Sequence, residues 1–289
     1  MNYQVVCFGE ILFDVLGDVS KPGGAPFNVA YHLKQSGIDS FLISSVGNDV
    51  YGEKLLGIVK DWGLDRRGIE ISTSYQTGVA VVRHDENNQP EYELVCPVAW
   101  DHIPWKEEYS SIIHQTGAFV FGSLSARSED SYNTLKKCLS HSPLNVFDIN
   151  IRPPYFDKPL IEHLLSKADI LKLNDAELIL LSEWYGFKDN YEKDQVTAIR
   201  EQFDIAEVVV TKGEKGASYY SDAVEWHEDA IKVNVADTIG SGDAFLAGFL
   251  SKRLDKSCSI EECLKEGIRR GAFVASKYGA CPSYETYVI

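Results

Sequence analysis

Short, almost wholly apolar runs recur along this chain at Val5–Phe8, Phe41–Val46, Ala118–Phe121, Asn145–Phe147, Ile170–Leu173 and Val208–Val210. Between them lie longer segments with apolar residues at helical spacing, among them Phe27–Gln35, Gly52–Trp62, Ser128–Leu139, Asp175–Tyr185 and Thr197–Phe203. A strand that is apolar on both faces has to be covered on both faces. Strands of that kind alternating with helices predict an α/β fold, with a mostly parallel sheet between two helical layers. Two long helices, Gly242–Arg253 and Ile260–Tyr278, complete the pattern. The 289 residues suffice for one large domain. No internal repeat or low-complexity linker divides them, so residues 1–289 are read as a single domain.

One region breaks the alternation. Gly78–His84 and Glu91–Val95 flank the polar cluster Asp85–Pro90 and read as an antiparallel hairpin. With the segment Leu12–Val19 it would form a small sheet projecting from the main one, drawn from about residues 12–22 and 76–98. So small a sheet has to pack on something, either the main body across a ligand or a second subunit.

The formal net charge of −15 argues against nucleic acid as a partner, since phosphate backbones are bound by basic surfaces. A nucleotide needs only a local positive patch and stays open. No apolar run approaches membrane-spanning length, and the first residues carry no basic leader. Cys7, Cys96, Cys138, Cys258, Cys263 and Cys281 are scattered, without C-x-x-C or Cys/His ligand spacing. They read as free thiols in a reducing cytosol. The expectation is a soluble, cytoplasmic protein with no membrane partner.

The chemistry concentrates in Ala236–Phe245. Gly240, Ser241 and Gly242 set a tight turn, Asp243 follows, and an apolar helix begins. Converging backbone N–H groups and the positive end of a new helix make a cradle for an oxyanion. A carboxylate on its lip could accept a proton, the pairing phosphoryl transfer needs. A plain helix cap explains the same residues. Pro22–Ala30 offers a Gly23-Gly24 loop and Asn28 in the first turn of a helix. With Asp14 before it, this suits a polyhydroxylated ligand, or serves only as a loop cap. In Phe147–Pro154, period-two alternation puts Asp148, Asn150 and Arg152 on one side at a strand's carboxyl end, where open α/β sheets bind ligands. Asn174 and Glu177 form a capping box or orient a hydrated Mg²⁺. Thr211, Gly213 and Gly216 follow another apolar strand, as nucleotide contacts or as a turn.

In this order and spacing, these segments resemble the ribokinase (PfkB-type) family of carbohydrate kinases. Asp237–Asp243 is similar to its C-terminal signature and Gly23–Ala30 to its N-terminal one, and the likeness runs from Cys7 to Ser283. The resemblance implies a ribokinase-like three-layer α/β/α sandwich whose small β-sheet is a lid that closes over the sugar and sometimes pairs two subunits. It implies Asp243 as the base acting on a sugar hydroxyl, and backbone N–H groups of Gly240, Ser241 and Gly242 as the anion hole. Asp14, Gly24 and Asn28 would hold the sugar, with Arg152 near sugar or phosphate. Asn174 and Glu177 would serve Mg²⁺–ATP, Glu177 through water, while Thr211, Gly213 and Gly216 would line the nucleotide. Asp237, Ile239 and Ser283 match positions that supply oxygens to a monovalent cation such as K⁺.

The motifs resemble the fructokinase branch most closely, with the 2-keto-3-deoxygluconate kinases as nearest rival. The rival enzymes tend to place a lid arginine on the substrate carboxylate, where this chain has Cys96. An unpaired buried carboxylate is costly, so a neutral sugar is favoured. Ile239 and Ser241 stand where relatives more often have Thr and Ala, and Phe27 replaces a smaller residue, which would narrow the pocket. An NAD-dependent oxidoreductase would want G-x-G-x-x-G after the first strand, but only Gly9 and then Glu10 follow Phe8. The P-loop pattern is absent as well. A non-catalytic sugar- or nucleotide-binding regulatory protein would be expected to have lost the base or a glycine, and Asp243, Gly240 and Gly242 are all present.

Overall fold

Along Val5–Phe8 successive side chains go to opposite faces: Val6 and Phe8 join one buried cluster, Val5 and Cys7 another. That two-sided burial repeats in all but the two edge strands of a nine-stranded sheet and fixes the layers of the computed structural model, which describes residues 3–16, 19–84, 90–187 and 191–287. The elements run β1 (Val5–Phe8), β2 (Leu12–Leu16), β3 (Val19–Gly23), α1 (Ala25–Gln35), β4 (Ser40–Gly47), α2 (Val50–Asp61), β5 (Ile69–Ser72), β6 (Gly78–His84) and β7 (Pro90–Leu94). There follow α3 (Glu107–His114), β8 (Ala118–Gly122), α4 (Glu129–His141), β9 (Asn145–Asp148), α5 (Lys158–Leu165), β10 (Ile170–Asn174), α6 (Asp175–Tyr185) and α7 (Glu192–Phe203). The last are β11 (Glu207–Thr211), β12 (Ala217–Tyr220), β13 (Glu225–Glu228), α8 (Ser241–Arg253) and α9 (Ile260–Ala275).

The large sheet has the order β13-β12-β11-β10-β9-β8-β1-β4-β5. Its strands from β11 to β5 run parallel, and β12 and β13 return antiparallel at one edge. Helices α3 to α7 cover one face through residues such as Ile113, Leu135, Leu164, Leu181 and Ile199. On the other face α1, α2, α8 and α9 pack through Leu33, Leu55, Phe249 and Leu264. From β1 the chain winds outward to β4 and β5, then crosses back to β8 and winds the other way. The crevice beyond the carboxyl ends of β1 and β8 is thus the switch point where such sheets take ligands.

The three layers agree with the sequence reading. Helix α7 starts at Glu192 instead of Thr197, and α9 stops at Ala275, short of Tyr278. The segment around Leu12–Val19 contributes the strands β2 and β3. β2 and β3 pair antiparallel, β2 and β6 parallel, and β6 and β7 antiparallel, giving the separate four-stranded sheet β3-β2-β6-β7. The polar turn expected at Asp85–Pro90 falls largely on residues 85–89, outside the described ones. Helices α3 and α5 and strands β5, β12 and β13 went unread. Each is eight residues or shorter, and β13 is mostly exposed, so no apolar stripe marks it.

Candidate active site

Helix α8 opens on a left-handed residue. Gly240 has φ 75°, and a Cβ there would lie 2.6 Å from Ala280, so only glycine fits the turn. The Ser241 N–H goes to the Thr238 carbonyl at 3.2 Å and the Ala244 N–H to the Gly240 carbonyl at 2.9 Å. Among the described residues nothing accepts from the N–H groups of Gly242 and Asp243. Of the N–H groups expected to form an anion hole (Gly240, Ser241 and Gly242), that of Ser241 closes the turn in this structure, while that of Gly242, with its neighbour at Asp243, is left free. A Cβ on Gly242 would stand 3.1 Å from Lys172 Nζ, so the hollow above this turn has an ammonium beside it.

Asn28, in α1, is buried and donates from Nδ2 to Asp243 Oδ2 at 2.8 Å. Burial and the charge of Asp148 push the Asp243 carboxyl up to about 6, against the pull of the Asn28 hydrogen bond, Lys172 and Arg152. Asp14 on β2 is likewise pushed up to about 6, by burial with the charges of Asp237 and Asp243, while Arg152 opposes. Gly24, the residue before α1, lies so close to the Glu10 carbonyl that a side chain would collide with it. Glu10 accepts the Ala25 N–H at 3.1 Å, so a distant carboxylate caps α1. Its Oε2 is buried without a partner, and burial carries its pKa to about 7.

Asp148 ends β9 and receives Lys172 Nζ on both oxygens, at 2.9 and 2.8 Å, with both side chains buried. Burial pulls the Lys172 pKa down, but the carboxylates of Asp148 and Glu177 outweigh it and the net direction is up. Strand β9 stops at Asp148, close to the expected Phe147, and beyond it Asn150 turns left-handed with φ 41°. The expected sidedness holds in part: Ile149 and Ile151 are buried and Arg152 is exposed, but Asp148 is itself buried. Arg152 makes no ion pair within 4 Å among the described residues, yet its charge acts on Glu10, Asp14 and Asp243.

Among the residues expected to meet a nucleotide, Asn174 caps α6 by accepting the Glu177 N–H at 2.8 Å. Glu177 returns one oxygen to the Asn174 N–H and the other to the Ile151 N–H, both at 2.9 Å. Among the described residues no group of three or more His, Cys, Asp or Glu side chains could hold a metal ion. Thr211 pairs with Asn174 across β10 and β11, Gly213 opens a short 3-10 turn, and Gly216 passes against the Glu228 carbonyl. A cavity of about 1140 Å³, lined by Asp175, Leu178, Glu192, Lys212 and His227 among others, adjoins these residues but includes none of them.

Of the three residues matched to a monovalent cation, Asp237 and Ser283 already accept hydrogen bonds. Asp237 accepts the Ile239 N–H on one oxygen and the Gly279 N–H on the other, each at 3.0 Å, and Ser283 Oγ accepts the Glu285 N–H at 3.3 Å. The expectation that Phe27 narrows the pocket is wrong. Its ring is fully buried and stacks on Trp62 at 5.0 Å, as core.

Sequence reasoning missed Lys172, Glu10 and Cys281. The first two sit inside apolar or loop patterns with no local motif, and Cys281 looks like one scattered thiol among several. It also missed Arg127, which lies between the rings of Trp100 and Tyr155 at 3.9 and 4.6 Å. Arg127 pairs with Asp101 at 2.7 and 2.8 Å and donates to the Val95 carbonyl at 2.9 Å, while Tyr155 donates to the Leu94 carbonyl at 2.7 Å. The exit of β7 is thus clamped to the main body, beside the exposed Cys96.

A family model described as pfkB family carbohydrate kinase matches residues 3–287. The chain is 28% identical over 310 residues to fructokinase-2 of Solanum lycopersicum, covering 98% of this chain and 93% of that one. A fructokinase from Xylella fastidiosa with bound ATP has the same ribokinase-like α/β fold, with a TM-score of 0.83 at 22% identity over 97% of this chain and 94% of that one. A fructokinase from Vibrio cholerae O395, in its fructose-, ADP- and calcium-bound form, gives a TM-score of 0.82 at 22% identity over 97% and 95%. No helix among the described residues is long and apolar enough to cross a membrane.

Proposed function

This chain belongs to the pfkB family of carbohydrate kinases, and from that premise we propose that it transfers the γ-phosphoryl group of Mg²⁺–ATP to a hydroxyl of a small neutral monosaccharide, fructose first. One observation carries the reading: the Asp243 carboxylate, held by Asn28, stands beside the unpartnered N–H groups of Gly242 and Asp243 with the Lys172 ammonium close by.

When bound, ATP supplies the phosphoryl group and Mg²⁺ neutralises charge on its oxygens. Asp243 takes the proton from the sugar hydroxyl as that oxygen attacks. The free N–H groups at the start of α8 and the nearby ammonium favour the negative charge gathering on the phosphoryl oxygens. Asp14 and Asn28 bind sugar hydroxyls beside the glycine loop at Gly24, and Arg152 brings an unpaired cation to sugar or phosphate. Asn174 and Glu177 hold the metal–nucleotide through water, with Thr211, Gly213 and Gly216 along the nucleotide. Oxygens of Asp237, Ile239 and Ser283 would serve K⁺ beside the anion turn. The four-stranded sheet acts as the lid, and pairing of two copies through it belongs to the same proposal.

A neutral sugar is preferred over a keto-acid because Arg127, the cation among the described residues at the lid exit, is already matched by Asp101. The fructokinase relative points the same way. The test is ADP release from Mg²⁺–ATP with fructose, 2-keto-3-deoxygluconate, ribose, tagatose and adenosine, with and without K⁺. Fast turnover on fructose supports the reading. Turnover only on the keto-acid moves the substrate to the rival, and ATP binding with no turnover on any sugar makes the protein a binding module.

A further inference from the structure

Asn28 is held from both ends. Its Nδ2 donates to Asp243 Oδ2 at 2.8 Å, and its Oδ1 accepts from the Cys281 thiol at 3.3 Å. Asn28 is buried in α1, Asp243 opens α8, and Cys281 lies in the loop after α9. A carboxamide can turn over, exchanging its oxygen and nitrogen. With the oxygen facing Asp243, two acceptors would oppose each other whenever the carboxylate is ionised. The thiol, donating to the Asn28 oxygen, adds its support to the orientation that points the Asn28 nitrogen at the base.

We infer that Cys281 is a positioning residue, whose thiol fixes the Asn28 carboxamide so that its N–H faces the Asp243 carboxylate. This deepens the kinase reading and rests on it for the role of Asp243. The loop carrying Cys281 is itself fixed: Tyr31 Oη donates to the Pro282 carbonyl at 2.7 Å, and His32 Nε2 lies 2.9 Å from the Ala280 carbonyl. The sulfur is thus presented by a loop anchored to α1, the helix that carries Asn28.

The consequence is a titration. A hydrogen bond donated to the ionised carboxylate favours that form, so weakening it raises the Asp243 midpoint. Charged and titratable groups acting on Asp243 are Asp148, Lys172 and Arg152, with Glu10, Asp14 and Cys281 reciprocally. A substitution at Cys281 leaves the other five in place.

The experiment follows the Asp243 carboxyl by ¹³C NMR in aspartate-labelled protein, its resonance assigned by its absence in Asp243→Asn. Cys281→Ala removes the donor, whereas Cys281→Ser keeps one. The expected midpoint rises by about half a pH unit in Cys281→Ala, the scale of one weakened neutral hydrogen bond, and stays at the wild-type value in Cys281→Ser. The acid limb of kcat/KM moves with it. An unmoved midpoint in Cys281→Ala, or an equal rise in both variants, overturns the inference. Thermal unfolding checks both variants, and Cys281→Val replaces the alanine if that one does not fold. The titration reads the same contact if the protein phosphorylates no sugar, so failure of the kinase reading is seen separately.

Discussion

Asn28 and Asp243 stand 215 positions apart in the chain and are joined by one hydrogen bond of 2.8 Å between the first turns of α1 and α8. That bond stabilises the ionised form of a carboxyl that burial drives the other way. Its removal should be felt first in proton transfer. Asp243→Asn should keep the fold and ATP binding while lowering kcat by ~10²–10⁴-fold, the scale of a general base. In the native protein kcat/KM should fall as the pH drops through about 6, because the base must be ionised. Near-normal turnover in the purified variant would remove Asp243 from the mechanism.

Lys172 does two things that a pair of variants can separate. Lys172→Met alone leaves Asp148 charged and buried, at a cost of about 3–5 kcal/mol in unfolding free energy. The double change Lys172→Met with Asp148→Leu should recover most of that stability in urea melts, yet turnover should stay low. If stability and kcat recover together, Lys172 is structural and the anion turn works without it.

Gly242 leaves the hollow above the turn open. Gly242→Val would fill it within 3.1 Å of Lys172 Nζ and crowd the unpartnered donors. The expected loss is about 3 kcal/mol in the barrier, roughly a hundredfold in kcat, as for one missing oxyanion donor. A folded Gly242→Val protein with unchanged kcat would put the phosphoryl group elsewhere.

Glu10 links stability to pH. Its folded value of about 7 lies above the ordinary 4.5, so the folded protein holds that proton more tightly. Its contribution is therefore fully present below pH 4.5 and is lost as pH rises toward 7, the reverse of an ion-paired carboxylate. Glu10→Gln keeps an acceptor for the Ala25 N–H and carries no charge. It should gain stability relative to wild type between pH 5 and 8, on the order of 3 kcal/mol at the upper end. Parallel melts at the two pH values decide it, and an identical pH slope in both proteins counts against a buried titrating Glu10.

The layers were legible because burial on both faces writes the same apolar code into every central strand, as in Val5–Phe8 and Val208–Val210. The edge was not: Glu225–Glu228 is mostly exposed and carries no apolar stripe. In the site, Asp243, Gly240 and Asn28 announced themselves through glycine turns beside a polar residue. Lys172 did not, because a lysine inside Ile170–Asn174 looks like any strand lysine until the fold sets Asp148 against it. Arg127 is legible only once Trp100 and Tyr155, 27 and 28 residues away on either side, are known to flank it. Phe27 misled for the opposite reason: it sits in a binding motif, but its side chain points into the core.

Helix α1 is made early in synthesis, and the partners of its middle turn come late. Tyr31 waits 251 residues for the Pro282 carbonyl, and His32 waits 252 for the Tyr284 hydroxyl. Until the loop beyond α9 has left the ribosome, a buried imidazole, a phenol and the Asn28 amide have no fixed seat. A nascent chain can thus lay down every strand of its sheet while the side chains of α1 still wait for the loop beyond α9 to seat them.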